Sequence, residues 1–165
     1  AYRMRMYMVQ NNIKVGHKFT KLAKKIQEVT NPKDKIWVWG FCPEIYIDSK
    51  RDCSSRFINC NYLVGLIPWV NVDPAEDTSD LAVPGSWTKL REYLTSDPPM
   101  VIVDAAAANY QFWGKYPLTT RPTLKRFIES NYRRLGEFDK FHLYLRFDDT
   151  KAGSEKHDNS ILGGK

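Results

Sequence analysis

Residues 35–60 read KIWVWGFCPEIYIDSKRDCSSRFINC, and this stretch decides the fold. Ile36-Trp37-Val38-Trp39 is a compact apolar run, bounded by Asp34-Lys35 before it and by Gly40 and Pro43 after it. Such a run reads as a short buried strand that stops at a sharp turn. Glu44-Ile45-Tyr46-Ile47 then opens a helix with Pro43 in its first turn, and Arg56-Phe57-Ile58-Asn59-Cys60 reads as the next strand. Strand, short helical crossover and strand together predict a parallel pair whose ends border a crevice.

Working outward, the amino-terminal side supplies a helix. Val15, Phe19, Leu22, Ile26 and Val29 recur at spacings of four and three between Asn12 and Thr30, with Lys18, Lys21, Lys24 and Lys25 between them. Asn31-Pro32 ends that helix, because a residue before proline is pushed out of the helical region. A basic amphipathic helix can lie on an anionic membrane, but this stripe has the width that packing on a core requires. Residues 1–11 read as a juxtamembrane or linker segment, since the mixture of Tyr, Met and Arg in Tyr2–Val9 suits a membrane boundary; an edge strand or the first turn of the next helix fits the same residues.

On the carboxyl-terminal side, Asn61–Pro68 is apolar and is read as extended or loosely helical. The loop that follows carries Asp73, Glu76, Asp77 and Asp80 without a basic residue, and it lacks the ligand spacing and central glycine of a calcium loop. Ser86 reads as the N-cap of a helix bearing Trp87, Leu90 and Leu94, stopped by Asp97-Pro98-Pro99. Met100-Val101-Ile102-Val103 is the most strand-like run, and Asp104 follows at the strand end, either facing the crevice or capping its own turn. Asn109–Thr120, NYQFWGKYPLTT, is an aromatic-rich loop in which Asn109 and Tyr116 are candidate ligand contacts, although its rings can equally cover the sheet edge. Thr120 then caps a helix with Pro122 in its first turn and Leu124, Phe127 and Ile128 facing inward. YRRLGEF and FHLYLRF, joined by Asp139-Lys140, read as an antiparallel hairpin, and residues 148–165 as a flexible tail.

The expected architecture is therefore α/β: a three-layer, Rossmann-like single domain over residues 12–147, with a short, mainly parallel sheet and a carboxyl-terminal antiparallel hairpin. At 165 residues with 42% hydrophobic side chains the chain can bury a genuine core, and its mean hydropathy of -0.50 is that of a soluble segment. No apolar run reaches bilayer length, and no signal peptide is read at its start.

The net charge of +6 invites an anionic partner, yet the lysines lie where a solvated helix face needs them, so nucleic acid is not expected. Cys42, Cys53 and Cys60 match no metal pattern with His17, His142 or His157; one disulfide with a thiol left over and three buried thiols both fit. No cofactor or metal is expected, since dinucleotide, Walker, nucleophile-elbow and zinc-protease motifs are all missing. No histidine is spaced to activate Cys42. The residues most open to a chemical reading are Glu44 and Asp104, each just past a strand end, with Arg56 as counter-charge; a structural salt-bridge or capping network explains the three as well.

The succession W-V-W-G-F-x-P-E-I-Y (Trp37–Tyr46), S-S-R-F (Ser54–Phe57), D-P-P-x-V-I-V-D (Asp97–Asp104), W-G-K-Y-P-L (Trp113–Leu118) and N-Y (Asn131-Tyr132) resembles the soluble carboxyl-terminal domain of bacterial multi-spanning GT-C glycosyltransferases, relatives of the dolichyl-phosphate-mannose protein mannosyltransferases. The resemblance covers about Asn12 to Phe147. It implies an accessory domain facing the periplasm or cell exterior at the inner membrane, attached to a transmembrane region that carries the catalytic carboxylate and uses a polyprenyl-phosphate-linked sugar. No catalytic residue is carried over to this chain. The partners implied are that transmembrane region and a glycan, lipid-linked sugar or protein acceptor. The rival from another class is a self-contained soluble enzyme or ligand-binding domain using Glu44, Arg56 and Asp104; a basic nucleic-acid-binding module is a third.

Overall fold

The computed structural model describes residues 18–66, 73 and 75–147; the expectations for the first 17 residues and for the carboxyl-terminal tail lie outside them. The fold is mixed α/β. Helix α1 (Thr20–Val29) leads to strand β1 (Lys35–Trp39), helix α2 (Glu44–Ser49), strand β2 (Asp52–Cys53) and the single turn α3 (Asn61–Val64). Helix α4 (Ser86–Ser96) and strand β3 (Val101–Asp104) follow, then helix α5 (Pro122–Asn131) and the hairpin strands β4 (Tyr132–Phe138) and β5 (Phe141–Arg146). The sheet order is β2-β1-β3-β5-β4, parallel across β2, β1 and β3 and antiparallel across β5 and β4.

The apolar runs lie at the centre because that is where they are covered on both sides. Ile36, Trp37, Val38 and Trp39 are all buried, as are Val101, Ile102, Val103 and Asp104. Side chains alternate along each strand, and the register aligns Val38 with Val103 and Val103 with Leu143. On that face Phe141 meets Phe19, at the start of α1, with ring centroids 5.0 Å apart. The opposite face carries Trp37, Trp39, Ile102 and Asp104, and there Trp39 packs on Trp87 of α4 at 5.9 Å. Leu90 and Leu94 of α4 and Leu124 and Ile128 of α5 are buried as well, as are Leu22 and Ile26 of α1.

The second strand differs from its expected position. Arg56–Cys60 is irregular, with Arg56 and Ile58 exposed, and the strand that pairs with β1 is the two-residue β2. The physical reason is the early end of α2. Lys50 adopts a left-handed conformation (φ 54°), and the Arg51 guanidinium bonds the carbonyls of Thr30, Ser49 and Lys50, turning the chain straight into the sheet. Ser54 donates its N–H to the Ile36 carbonyl, after which the chain leaves the edge, and Phe57 packs on Tyr62 and Tyr93.

Two caps also differ. Gly85, left-handed at φ 75°, precedes α4, and Ser86 is that helix's first residue. Thr120 Oγ1 donates to the Pro117 carbonyl within a short 3-10 turn, so Arg121 stands before α5. Helix α1 takes its caps from afar: the Leu22 N–H donates to Asp139 Oδ2 (2.9 Å) and the Phe19 N–H to Asp48 Oδ2 (3.2 Å). Two carboxylates thus satisfy amides at a helix start, where they also complement its dipole.

The hairpin falls where expected, and Asp139 and Lys140 both hold positive φ (50° and 70°), as the right-handed twist of a two-residue connection requires. Lys140 is exposed and bears the strain of that conformation without a side-chain role. Replacing it by glycine, Lys140→Gly, is expected to raise the unfolding free energy by about 1 kcal/mol in urea titrations, whereas Asp139→Gly, which removes the α1 cap, should lower it.

Candidate functional site

The chain leaves β1 toward β2 on one side and returns through α4 to β3 on the other. The strand order reverses between β1 and β3, and in open α/β sheets the crevice past the carboxyl ends of such a pair collects ligands. Trp39 and Asp104 are in register at that end, and the Ala105 N–H donates to the Trp39 carbonyl. The two exits run very close together: a Cβ placed on Gly40 would stand 2.6 Å from the Ala105 Cβ. Glycine is required there by proximity, since the Ala105 methyl leaves no room for a side chain.

Beside these exits stand three polar side chains from three separate segments. Lys18, just before α1, donates from Nζ to the Tyr110 hydroxyl at 2.7 Å and lies 4.5 Å from the Tyr110 ring centroid. The Tyr110 hydroxyl donates in turn to Glu44 Oε1 at 3.4 Å, and the Tyr110 ring meets Phe19 edge-on at 5.2 Å. The second carboxylate oxygen, Glu44 Oε2, is buried and has no hydrogen-bond partner among the described residues. The bond to Tyr110 holds the exposed Lys18 ammonium above the usual lysine pKa against some loss of hydration, with smaller help from the nearby Glu44. Glu44 Oε2 is thus a desolvated acceptor in want of a donor, next to an aromatic ring and a cation.

The other sequence-derived candidates lie apart from this cluster. Asp104 accepts the Ala106 N–H on Oδ1 (2.9 Å), capping its own turn. It sits on the face of Trp39, and no hydrogen bond or ion pair joins it to Glu44 among the described residues. Burial pushes its carboxyl above the usual range, opposed first by the Ala106 N–H and then by the basic side chains of His142 and Arg134. Arg56 is exposed, and its charge bears on Tyr62 and Lys89, whereas the basic side chains that bear on Asp104 are those of His142 and Arg134. Asn109 holds the Gly114 N–H with its Oδ1 at 3.0 Å. Tyr116 is buried, its hydroxyl 2.8 Å from Thr78 Oγ1 and its carbonyl accepting from Trp39 Nε1. It is a strut beneath the loop with no open face.

All three cysteines are free thiols. Cys60 Sγ donates to the Val38 carbonyl, and burial pushes the Cys42 and Cys60 thiols far above their usual range, which leaves them poor nucleophiles. Among the described residues no group of three or more His, Cys, Asp or Glu side chains is placed to hold a metal, and no helix is long and apolar enough to cross a membrane.

Compared with protein-family models, curated proteins and solved structures, the chain matches none.

Lys18 and Tyr110 were absent from the sequence-derived candidates. They are 92 residues apart and meet only because α1 and the exit of β3 converge on one rim. A lysine at a helix start and a tyrosine after an alanine run carry no local signal of each other.

The position of Asp104 yields a pH test. Its folded-state pKa is raised above the unfolded value of about 3.9, so the native chain holds the proton to higher pH. The contribution of this group is therefore greatest below that value and is lost as pH rises through the raised pKa. Asp104→Asn keeps an acceptor for the Ala106 N–H and carries no charge. It is expected to exceed the parent in stability at pH 7 and to lose that advantage at pH 3, measured by urea unfolding at both.

Proposed function

We propose that this is the extracytoplasmic accessory domain of a bacterial membrane glycosyltransferase that draws on a polyprenyl-phosphate-linked sugar, and that it is not catalytic alone. In this reading the domain is three-layer and Rossmann-like, faces the periplasm or cell exterior at the inner membrane, and works beside the transmembrane region that performs transfer. Its crevice holds a sugar unit of the glycan, lipid-linked donor or acceptor.

One observation carries the binding role: the buried, unpaired Glu44 Oε2 at the switch-point crevice beside Tyr110. Sugars offer hydroxyl donors and an apolar ring face, which a carboxylate oxygen and an aromatic ring accept together. The order of the sequence blocks from Trp37 to Tyr132 supports the family reading. The non-catalytic character is supported by the burial that keeps the Cys42 and Cys60 thiols poor nucleophiles and by the engagement of Asp104 in its own turn, which leave no activated nucleophile or paired acid and base at the rim among the described residues.

The isolated domain, titrated with methyl hexosides and methyl N-acetylhexosaminides, is expected to show saturable NMR shifts at Lys18, Glu44 and Tyr110 at millimolar concentration. Glu44→Ala should weaken that binding at least fivefold. Absence of any shift at the three residues would sink the sugar-binding role. Transfer from a polyprenyl-phosphate sugar by the isolated domain would sink the accessory role in favour of a self-contained enzyme.

A further inference from the structure

A second concave region lies on the Trp39 face, between α4 and α5. It is a groove of about 440 Å³, within the size range of small-molecule sites. Its apolar wall is built by Trp87, Leu90 and Leu94 of α4 and by Leu124 and Phe127 of α5. Arg91 and Arg121 also line it, and none of the lining side chains is acidic.

The arginines are what make the groove more than a packing gap. The Arg121 guanidinium carbon stands 5.5 Å from the Trp87 ring centroid, so the cation lies over one wall. Its Nε is buried without a hydrogen-bond partner, and neither Arg121 nor Arg91 forms an ion pair among the described residues. Asp77 feels the Arg121 charge, but its carboxyl is held low chiefly by the Ser79 N–H and hydroxyl, with Arg121 a smaller contribution. No side chain caps the start of α5, so the first-turn amides after Pro122 add positive potential at the Arg121 end.

A buried guanidinium N–H without an acceptor is costly. A neutral apolar guest would leave it unpaired, and a bare inorganic anion would leave the apolar wall wet. One chemistry satisfies both: an anionic head joined to an apolar chain. We propose that the groove between α4 and α5 binds such an amphiphile, with its phosphate or carboxylate on Arg121 and Arg91 and its chain along Leu90, Leu94, Leu124 and Phe127. This site is separate from the crevice at Glu44 and does not depend on the sugar-binding reading.

The test is calorimetric titration with octyl phosphate, octanoate, octyl glucoside and inorganic phosphate, all below micelle formation. One of the two charged octyl compounds is expected to bind saturably, one per chain, at least tenfold tighter than either octyl glucoside or inorganic phosphate. Which of the two binds tighter identifies the head group. Arg121→Gln should weaken that binding at least tenfold while keeping the parent's near-ultraviolet circular dichroism. If Arg121→Gln does not fold, Arg91→Gln, on an exposed helix position, should still weaken it about threefold. No saturable binding, equal binding of octyl glucoside, or unchanged affinity in the folded arginine variant would each overturn the proposal.

Discussion

Trp39 is the side chain on which the two ends of the structure depend. It is the last residue of β1 and fully buried, and its indole N–H donates to the Tyr116 carbonyl at 2.8 Å. Its ring meets Trp37, Trp87 and Trp113 at centroid distances of 5.9, 5.9 and 5.3 Å. One residue therefore fixes the end of the central strand, the start of α4 and the aromatic loop after β3. Truncating so large a buried ring typically costs about 3–5 kcal/mol, and here the loss would fall on three elements at once.

That anchoring explains how the same strand ends produce two regions of different chemistry. On the face of α1, the exits of β1 and β3 meet over Gly40 and Ala105, and the polar groups of Lys18, Glu44 and Tyr110 gather at the opening. On the face of Trp39, α4 and α5 diverge enough to leave an apolar groove with arginines along it. Strand alternation separates Asp104 from the first region and places it with the second face, where it is buried and engaged with Ala106. Two carboxylates at adjacent strand ends thus differ in what they hold: Glu44 accepts the Tyr110 hydroxyl across the chain, while Asp104 closes its own turn.

The sequence was most legible where geometry is local. Asp139-Lys140 between alternating runs gave the hairpin and its turn, Pro98-Pro99 before Val101 gave the start of β3, and Gly40 and Pro43 bracketed the turn into α2. The second strand was illegible because two paired residues on an edge have no period, while the more β-prone run Arg56–Cys60 drew the assignment. Ser86 and Thr120 look like caps by type, but a left-handed Gly85 starts the first helix one residue earlier, at Ser86, and a 3-10 turn delays the second to Pro122. Of the candidate site, Glu44 was legible from its place after a strand. Its partners were not, because contacts across 66 and 92 residues are set by the packing of α1 and the β3 exit.

The hydrogen bond from the Leu22 N–H to Asp139 spans 117 residues, and β5, the last strand among the described residues, is inserted between β3 and β4. During biosynthesis α1 emerges from the ribosome long before the group that completes its first turn. The sheet likewise stays open beside β3 until residues 132–147 have cleared the exit tunnel. Such late, long-range closure slows folding and leaves a strand edge unpaired in the nascent chain. A chaperone that shields the open edge of β3 while the hairpin is still being synthesised would act at the step where this topology is most exposed.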